Sequence, residues 1–212
     1  MNRSTPTPTL PLSLLALVAL ALLVSALHPY DRATWWMETA PVFIIAPVLV
    51  ATHRRLPLTT LLQVLIALHA LVLIVGGAYT YARVPFGFWL QEVGHFERNP
   101  YDRIGHFFQG MVTCLAAREI FIRLGIVRGR RMAGFLALCV AMMISACYEL
   151  IEWGAAVALG QGADEFLGTQ GDPWDTQSDM FMALIGASFT NLVLAGFHDW
   201  QISRMAGRRW MN

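Results

Sequence analysis

Residues 58–79 read LTTLLQVLIALHALVLIVGGAY, a run without one charged side chain in which Gln63 and His69 are the only strongly polar positions. At a rise of about 1.5 Å per residue, roughly 20 such residues cross a hydrocarbon core about 30 Å thick. The run therefore predicts a transmembrane helix, and the rest of the chain divides around it into comparable segments.

Of the 212 residues, 56% are hydrophobic and 14% charged. Soluble domains are about one-quarter charged, and the mean hydropathy of +0.52 also points to the bilayer. Apolar runs predict six spans, at about 10–27, 36–52, 58–79, 104–124, 132–159 and 179–197. The first also resembles a signal peptide, with Val24-Ser25-Ala26 as a cleavage-like site. Its basic leader is only Arg3 and its apolar stretch is long for a signal, which favours a retained helix. Trp35 and Trp36 are expected to anchor the second span, the weakest of the six, at the interface. Six spans leave little sequence for a separate core, so residues 1–212 are expected to form a single integral membrane domain. The fold class is all-α, a polytopic bundle and not a soluble enzyme.

Every basic residue is Arg, and the arginines orient the bundle. Arg54 and Arg55, then Arg123, Arg128, Arg130 and Arg131, then Arg204, Arg208 and Arg209 follow alternate spans; with Arg3 they fall on one side if all six segments cross. The other side receives Arg32, Arg83, Arg98 and Arg103. The excess of Arg on the cytoplasmic side predicts cytoplasmic termini at both ends. Asp31, Glu38, Glu92, Glu97, Asp102, Asp164, Glu165, Asp172, Asp175 and Asp179 lie in or beside the outer loops, the longest being 83–103 and 160–178. Cys114, Cys139 and Cys147 fall in apolar stretches without metal or disulfide spacing and are expected to be small buried hydrophobes. The net charge of +1 gives no reason to expect nucleic acid as a partner.

Polar side chains recur at helical spacing at the outer ends of three spans. Arg103, His106 and Gln109 share one face of the fourth span, and Glu149 and Glu152 share one face of the fifth, with Ser145 a turn deeper. Asp175 and Asp179 align on the sixth if its helix begins by Asp175, with Asp172 just before it. A carboxylate within the bilayer costs a few kcal/mol unless it is paired, hydrated or neutralised, and such residues are functional candidates by default. His106, Glu149, Glu152 and Asp179 are the candidate catalytic group and, as one His with carboxylates, the candidate ligands of a divalent metal. Arg103, Gln109, Asp172 and Asp175 are candidate substrate-binding residues. The same groups also suit metal-free acid–base work by His106, or simple interhelical hydrogen bonding. His69 is expected to pack, and Glu119 to pair locally with Arg118. No HExxH, GxSxG, P-loop or Glu-x-x-His signature is present.

The segments VGGAYTYARVPFG, DRIGHFFQG, AAREI, YELIEW and GTQGDPWDTQSDM resemble the uncharacterised bacterial inner-membrane family typified by YjdF, over about Leu58 to Gly186. The resemblance implies a polytopic membrane fold and brings no activity with it. A fainter resemblance to VanZ-like membrane proteins rests on Arg103 and His106, Glu149, and Asp175, Asp179 and Gly186. Glu152 stands where that pattern has Gln, and Ala183 where it has Asn. It implies a role in the cell envelope. The expected function is binding or processing of an envelope or lipid-linked small molecule at a periplasmic, acidic, His-containing site. A small transporter or proton-coupled carrier and a non-catalytic accessory subunit are the alternatives, and whether the protein is an enzyme stays open.

Overall fold

A computed structural model describes residues 9–159 and 170–209. Arg3 and most of the second outer loop, including Asp164 and Glu165, lie outside the described residues. The described chain is all-helical: α1 (Thr9–Leu27), α2 (Arg32–Thr52), α3 (Thr60–Tyr79), a short α4 (Pro85–Gly94), α5 (Tyr101–Arg123), α6 (Arg130–Leu159), α7 (Asp175–Phe189) and α8 (Ala195–Arg209). A π-helical turn, Thr190–Leu194, joins α7 to α8.

Local chemistry sets the helix starts. Asp31 accepts the backbone N–H of Thr34 at 2.7 Å, so α2 begins at Arg32, several residues before the expected span, and draws Trp35 into it. That hydrogen bond holds the Asp31 carboxyl below its ordinary pKa. Trp35 is buried and its indole N–H donates to Ser25 on α1, whereas Trp36 remains exposed. Only Trp36 suits the expected role of interfacial anchor. Thr59 caps α3, and Pro85 occupies the first turn of α4, an element absent from the expectation.

Five helical stretches are long and apolar enough to cross a membrane: Leu10–Leu27, Arg32–Thr52, Thr60–Tyr79, Arg130–Ala158 and Asp175–Met205. The expected fourth span corresponds to α5, which has comparable length but carries charge at both ends. Its Asp102, Arg118 and Glu119 are buried, because α5 packs between α3, α6 and α7. Neighbouring helices thus shield the most charged helix of the bundle. Cys114 is buried as expected, but Cys139 and Cys147 are exposed on the outside of α6, where an apolar environment suits a thiol equally well.

Small residues bring α5 and α7 together. A Cβ at Gly110 would collide with the Ala183 carbonyl, and one at Gly186 with the Phe107 carbonyl. This is the small-residue packing of membrane helices, which lets backbones approach where no hydrophobic effect drives association. At the π turn, the Thr190 hydroxyl donates to Met111 O at 2.9 Å and the Asn191 amide to Gly134 O at 2.9 Å. The widened turn is where α7 and α8 fasten to both α5 and α6.

Candidate functional site

The close crossing of α5 and α7 fixes which side chains meet one turn away. His106 lies four residues before Gly110, and Asp179 four before Ala183, so both reach the same depth at the end of the bundle where α5 and α7 begin. The antiparallel α6 brings Glu149 there near its own end. His106, Glu149 and Asp179 are 5%, 7% and 2% exposed.

Four groups surround the imidazole on two sides. Its Nδ1 lies 3.3 Å from Gln109 Oε1 and 3.7 Å from Glu149 Oε1. Its Nε2 lies 3.5 Å from Asp102 Oδ1 and 4.0 Å from Asp179 Oδ2. One ligand atom from each of Asp102, His106 and Asp179 lies within 4.8 Å of the other two. Glu149 Oε1 and Asp179 Oδ1 are buried without a hydrogen-bond partner.

The expected site residues divide into an inner and an outer group. His106, Gln109, Glu149 and Asp179 are brought together. Arg103, Asp172 and Asp175 form a layer over them: Arg98 pairs with Asp175 and, at 3.3 Å, with Asp172, while Arg103 lies 3.6 Å from Asp172. Asn99 and Gln170 tie the two loops together by reciprocal hydrogen bonds of 3.1 and 3.0 Å. Glu152, a turn further along α6, is half-buried and has no hydrogen bond or ion pair among the described residues.

The expected set omitted two acidic residues. Asp102 is four residues before His106 on the same helix face, a spacing that could have singled it out. Buried Glu38 accepts the Tyr148 hydroxyl at 3.0 Å, and the Tyr148 ring stands edge-on to His106 at 6.3 Å between centroids. Gly77 lets α2 come this close, since a Cβ there would sit 3.1 Å from Glu38 Cβ. The signal for Glu38 was a carboxylate in an apolar segment, two residues after the Trp35-Trp36 pair.

At the opposite end of α5, Glu119 does not pair with Arg118. It accepts from Thr59 N–H at 3.0 Å and Thr59 hydroxyl at 2.7 Å, and pairs with Arg123 at 2.7 Å and His198 at 3.0 Å. Arg118 points the other way, to Asp199 at 2.6 Å. Successive helical residues diverge by about 100°, which leaves Arg118 and Glu119 on different faces. His69 packs as expected, its ring stacked on Phe108 at 6.5 Å.

Long apolar helices around a charged one, with buried acidic groups gathered about a histidine at one end, define a polytopic helical membrane protein. The chain belongs to the family described as Predicted membrane protein (DUF2238), which it matches over residues 10–200. It is 59% identical over 187 residues to the inner membrane protein YjdF of Escherichia coli (strain K12), covering 88% of this chain and 90% of that protein. The resemblance to the YjdF family is thereby established, and with it residence in the inner membrane. No solved structure matches. The likeness to VanZ-like proteins stands on the matched positions alone.

Proposed function

We propose that the protein crosses the inner membrane six times, with α5 as the sixth spanning helix and both termini in the cytoplasm. In this reading the His106 cluster lies near the periplasmic face, where it binds and acts on an envelope or lipid-linked small molecule. The supporting observation is the convergence of Asp102, His106, Glu149 and Asp179 from three helices, with all three contacting carboxylates within 4.0 Å of the imidazole nitrogens. A helix joint needs no such group: two of its carboxylate oxygens are buried without a hydrogen-bond partner, which is expensive for a merely structural contact. The short α4 lies beside this end with Phe86, Phe88, Trp89 and Val93 exposed, a composition suited to the headgroup boundary from which a lipid-linked molecule would arrive.

The carrier reading requires a polar path along the bundle. Between the His106 cluster and the Glu119 cluster lies a layer of Cys114, Leu115, Ala137, Ala141 and Ala187, each wholly buried and apolar. That layer favours a one-sided site. The test combines His106→Ala with Glu149→Gln and compares lipids and small molecules co-purifying with variant and wild type by mass spectrometry. It also assays complementation of a deletion strain in envelope-stress and resistance assays. Loss of a specific co-purified species and of complementation, at unchanged protein level, is the expected result. Full complementation by the double variant would remove the proposal.

A further inference from the structure

Both nitrogens of the His106 ring face oxygen acceptors, but at different distances, and the difference points to a ligand. Nδ1 lies within hydrogen-bond distance of the Gln109 amide oxygen at 3.3 Å, with Glu149 Oε1 at 3.7 Å, whereas the oxygens facing Nε2 stand at 3.5 and 4.0 Å, so the tautomer that makes a hydrogen bond carries its N–H on Nδ1. In the neutral ring this leaves the Nε2 lone pair facing Asp102 and Asp179. An imidazole whose far N–H is held by an amide or carboxylate, with carboxylates flanking its free nitrogen, is the usual arrangement of a metal-bound histidine.

We infer that Asp102, His106 through Nε2, and Asp179 form a binding site for one divalent first-row metal ion, with Gln109 and Glu149 orienting the histidine from behind. The inference rests on reading this cluster as the functional site, and it replaces the expected metal set: Asp102 enters, while Glu149 and Glu152 leave. Three observations carry it. The separations of 3.5 and 4.0 Å from Nε2 are too long for hydrogen bonds. They match groups that share a central partner, because ligands about 2.1 Å from one ion stand roughly 3.0–4.2 Å apart. The widest separation, up to 4.8 Å, closes by small side-chain rotations. Second, Asp179 Oδ1, in a side chain 2% exposed, has no partner within the protein.

Third, the three carboxylates could all be ionised together only with more positive charge than the ion pairs around them supply. Arg98 and Arg103 are engaged by Asp172 and Asp175 in the overlying layer. Among the described residues the ion-pair partner of Asp102, Glu149 and Asp179 is His106. A divalent cation supplies the missing charge at the one point all three ligands face. One imidazole with two carboxylates suits Mn²⁺ or Zn²⁺ better than Ca²⁺, which takes an all-oxygen shell, or Mg²⁺, which keeps its waters.

The test uses the full chain purified in detergent, stripped with chelator and titrated with Mn²⁺ by electron paramagnetic resonance, with Zn²⁺ as competitor. About one high-affinity ion per chain is expected, and Asp102→Asn and Asp179→Asn should each weaken binding by more than about tenfold. Glu97→Gln, at an exposed carboxylate, should leave binding unchanged and so excludes surface capture. Should the Asn variants fold poorly, the bound wild-type ion still reports: nitrogen coupling from one imidazole must appear in its spin-echo modulation. Absence of stoichiometric Mn²⁺ and Zn²⁺, or binding without nitrogen coupling, overturns the inference. The two readings fail separately. No metal, with complementation lost in the His106/Glu149 double variant, removes only the ion. Metal bound, with full complementation by that variant, removes only the envelope ligand.

Discussion

His198 Nε2 lies 3.0 Å from Glu119 Oε2, with both residues wholly buried and 79 positions apart in the chain. The tautomer follows from the opposite edge of the ring. Nδ1 faces the Arg118 guanidinium at 3.2 Å, and a guanidinium only donates, so Nδ1 accepts and Nε2 carries the hydrogen given to Glu119. The neutral ring thus links a cation to an anion, and through Glu119 it reaches Thr59 at the start of α3. His198→Ala leaves two buried charged groups short of a partner and should lower stability by about 1–3 kcal/mol. His198→Asn, which retains one donor and one acceptor, should lose less. Unfolding in mixed detergent micelles measures both. Equal losses would mean that the ring acts by volume and not by its two hydrogen bonds.

The crossing of α5 and α7 gives a sharper contrast. Gly110→Ala and Gly186→Ala each place a methyl group against a backbone carbonyl, which cannot swing aside as a side chain can. Each should destabilise by about 1–3 kcal/mol and loosen the His106 cluster a turn away. Gly154 and Gly196 have open space where a Cβ would stand, so Gly154→Ala and Gly196→Ala should be neutral or slightly stabilising. Thermal melts of the four variants decide the matter. Indistinguishable melts would mean that the α5–α7 approach is not a tight contact.

The legible part of this protein is the part that depends on local physics. Uninterrupted apolar runs gave α1, α3 and α6 to within a few residues, since a helix buried in lipid must be apolar along its length. The start of α2 lies before the expected one because Asp31 and Arg32 break the apolar pattern, although Asp31 is the helix cap. The short α4 was missed because ten residues with one exposed apolar face fall below any span threshold. Within the site, i to i+3 spacing placed His106 with Gln109. Hydropathy at helix ends supplied the depth of Glu149 and Asp179. Asp102 was passed over in favour of Arg103, since spacing alone does not say which neighbour turns inward. The link between Glu119 and His198 joins helices far apart in sequence, and no local pattern encodes it.

α4 should lie in the plane of the membrane. Phe86, Phe88, Trp89 and Val93 are exposed, while Gly87 faces inward against Asn99, whose side chain would collide with any Cβ there. A nitroxide at Val93→Cys, in a background with Cys139 and Cys147 replaced by Ser, should relax strongly with oxygen and weakly with a water-soluble nickel chelate. The reverse pattern would put the aromatic face in water and remove α4 as a boundary element.

The status of α5 decides the topology, because the segments flanking it lie on opposite sides if it is a sixth spanning helix and on the same side if only the five apolar helices cross. Exposed Glu97 precedes α5, and exposed Arg128 follows it. If α5 crosses, Glu97→Cys should react with a membrane-impermeant maleimide in spheroplasts, whereas Arg128→Cys should react only after lysis. If α5 does not cross, both react under the same condition. Burial of its charges favours crossing: Asp102, Arg118 and Glu119 are enclosed by neighbouring helices, and the stretch from Gly110 to Ala117 between the charged ends is largely apolar. At about 1.5 Å per residue its 23 residues reach roughly 34 Å, enough for the hydrocarbon core with both charged ends near an interface. Labelling of both positions from the same side would make α5 a buried but non-spanning helix. It would also put the arginines that follow α5 on the same side as the His106 cluster.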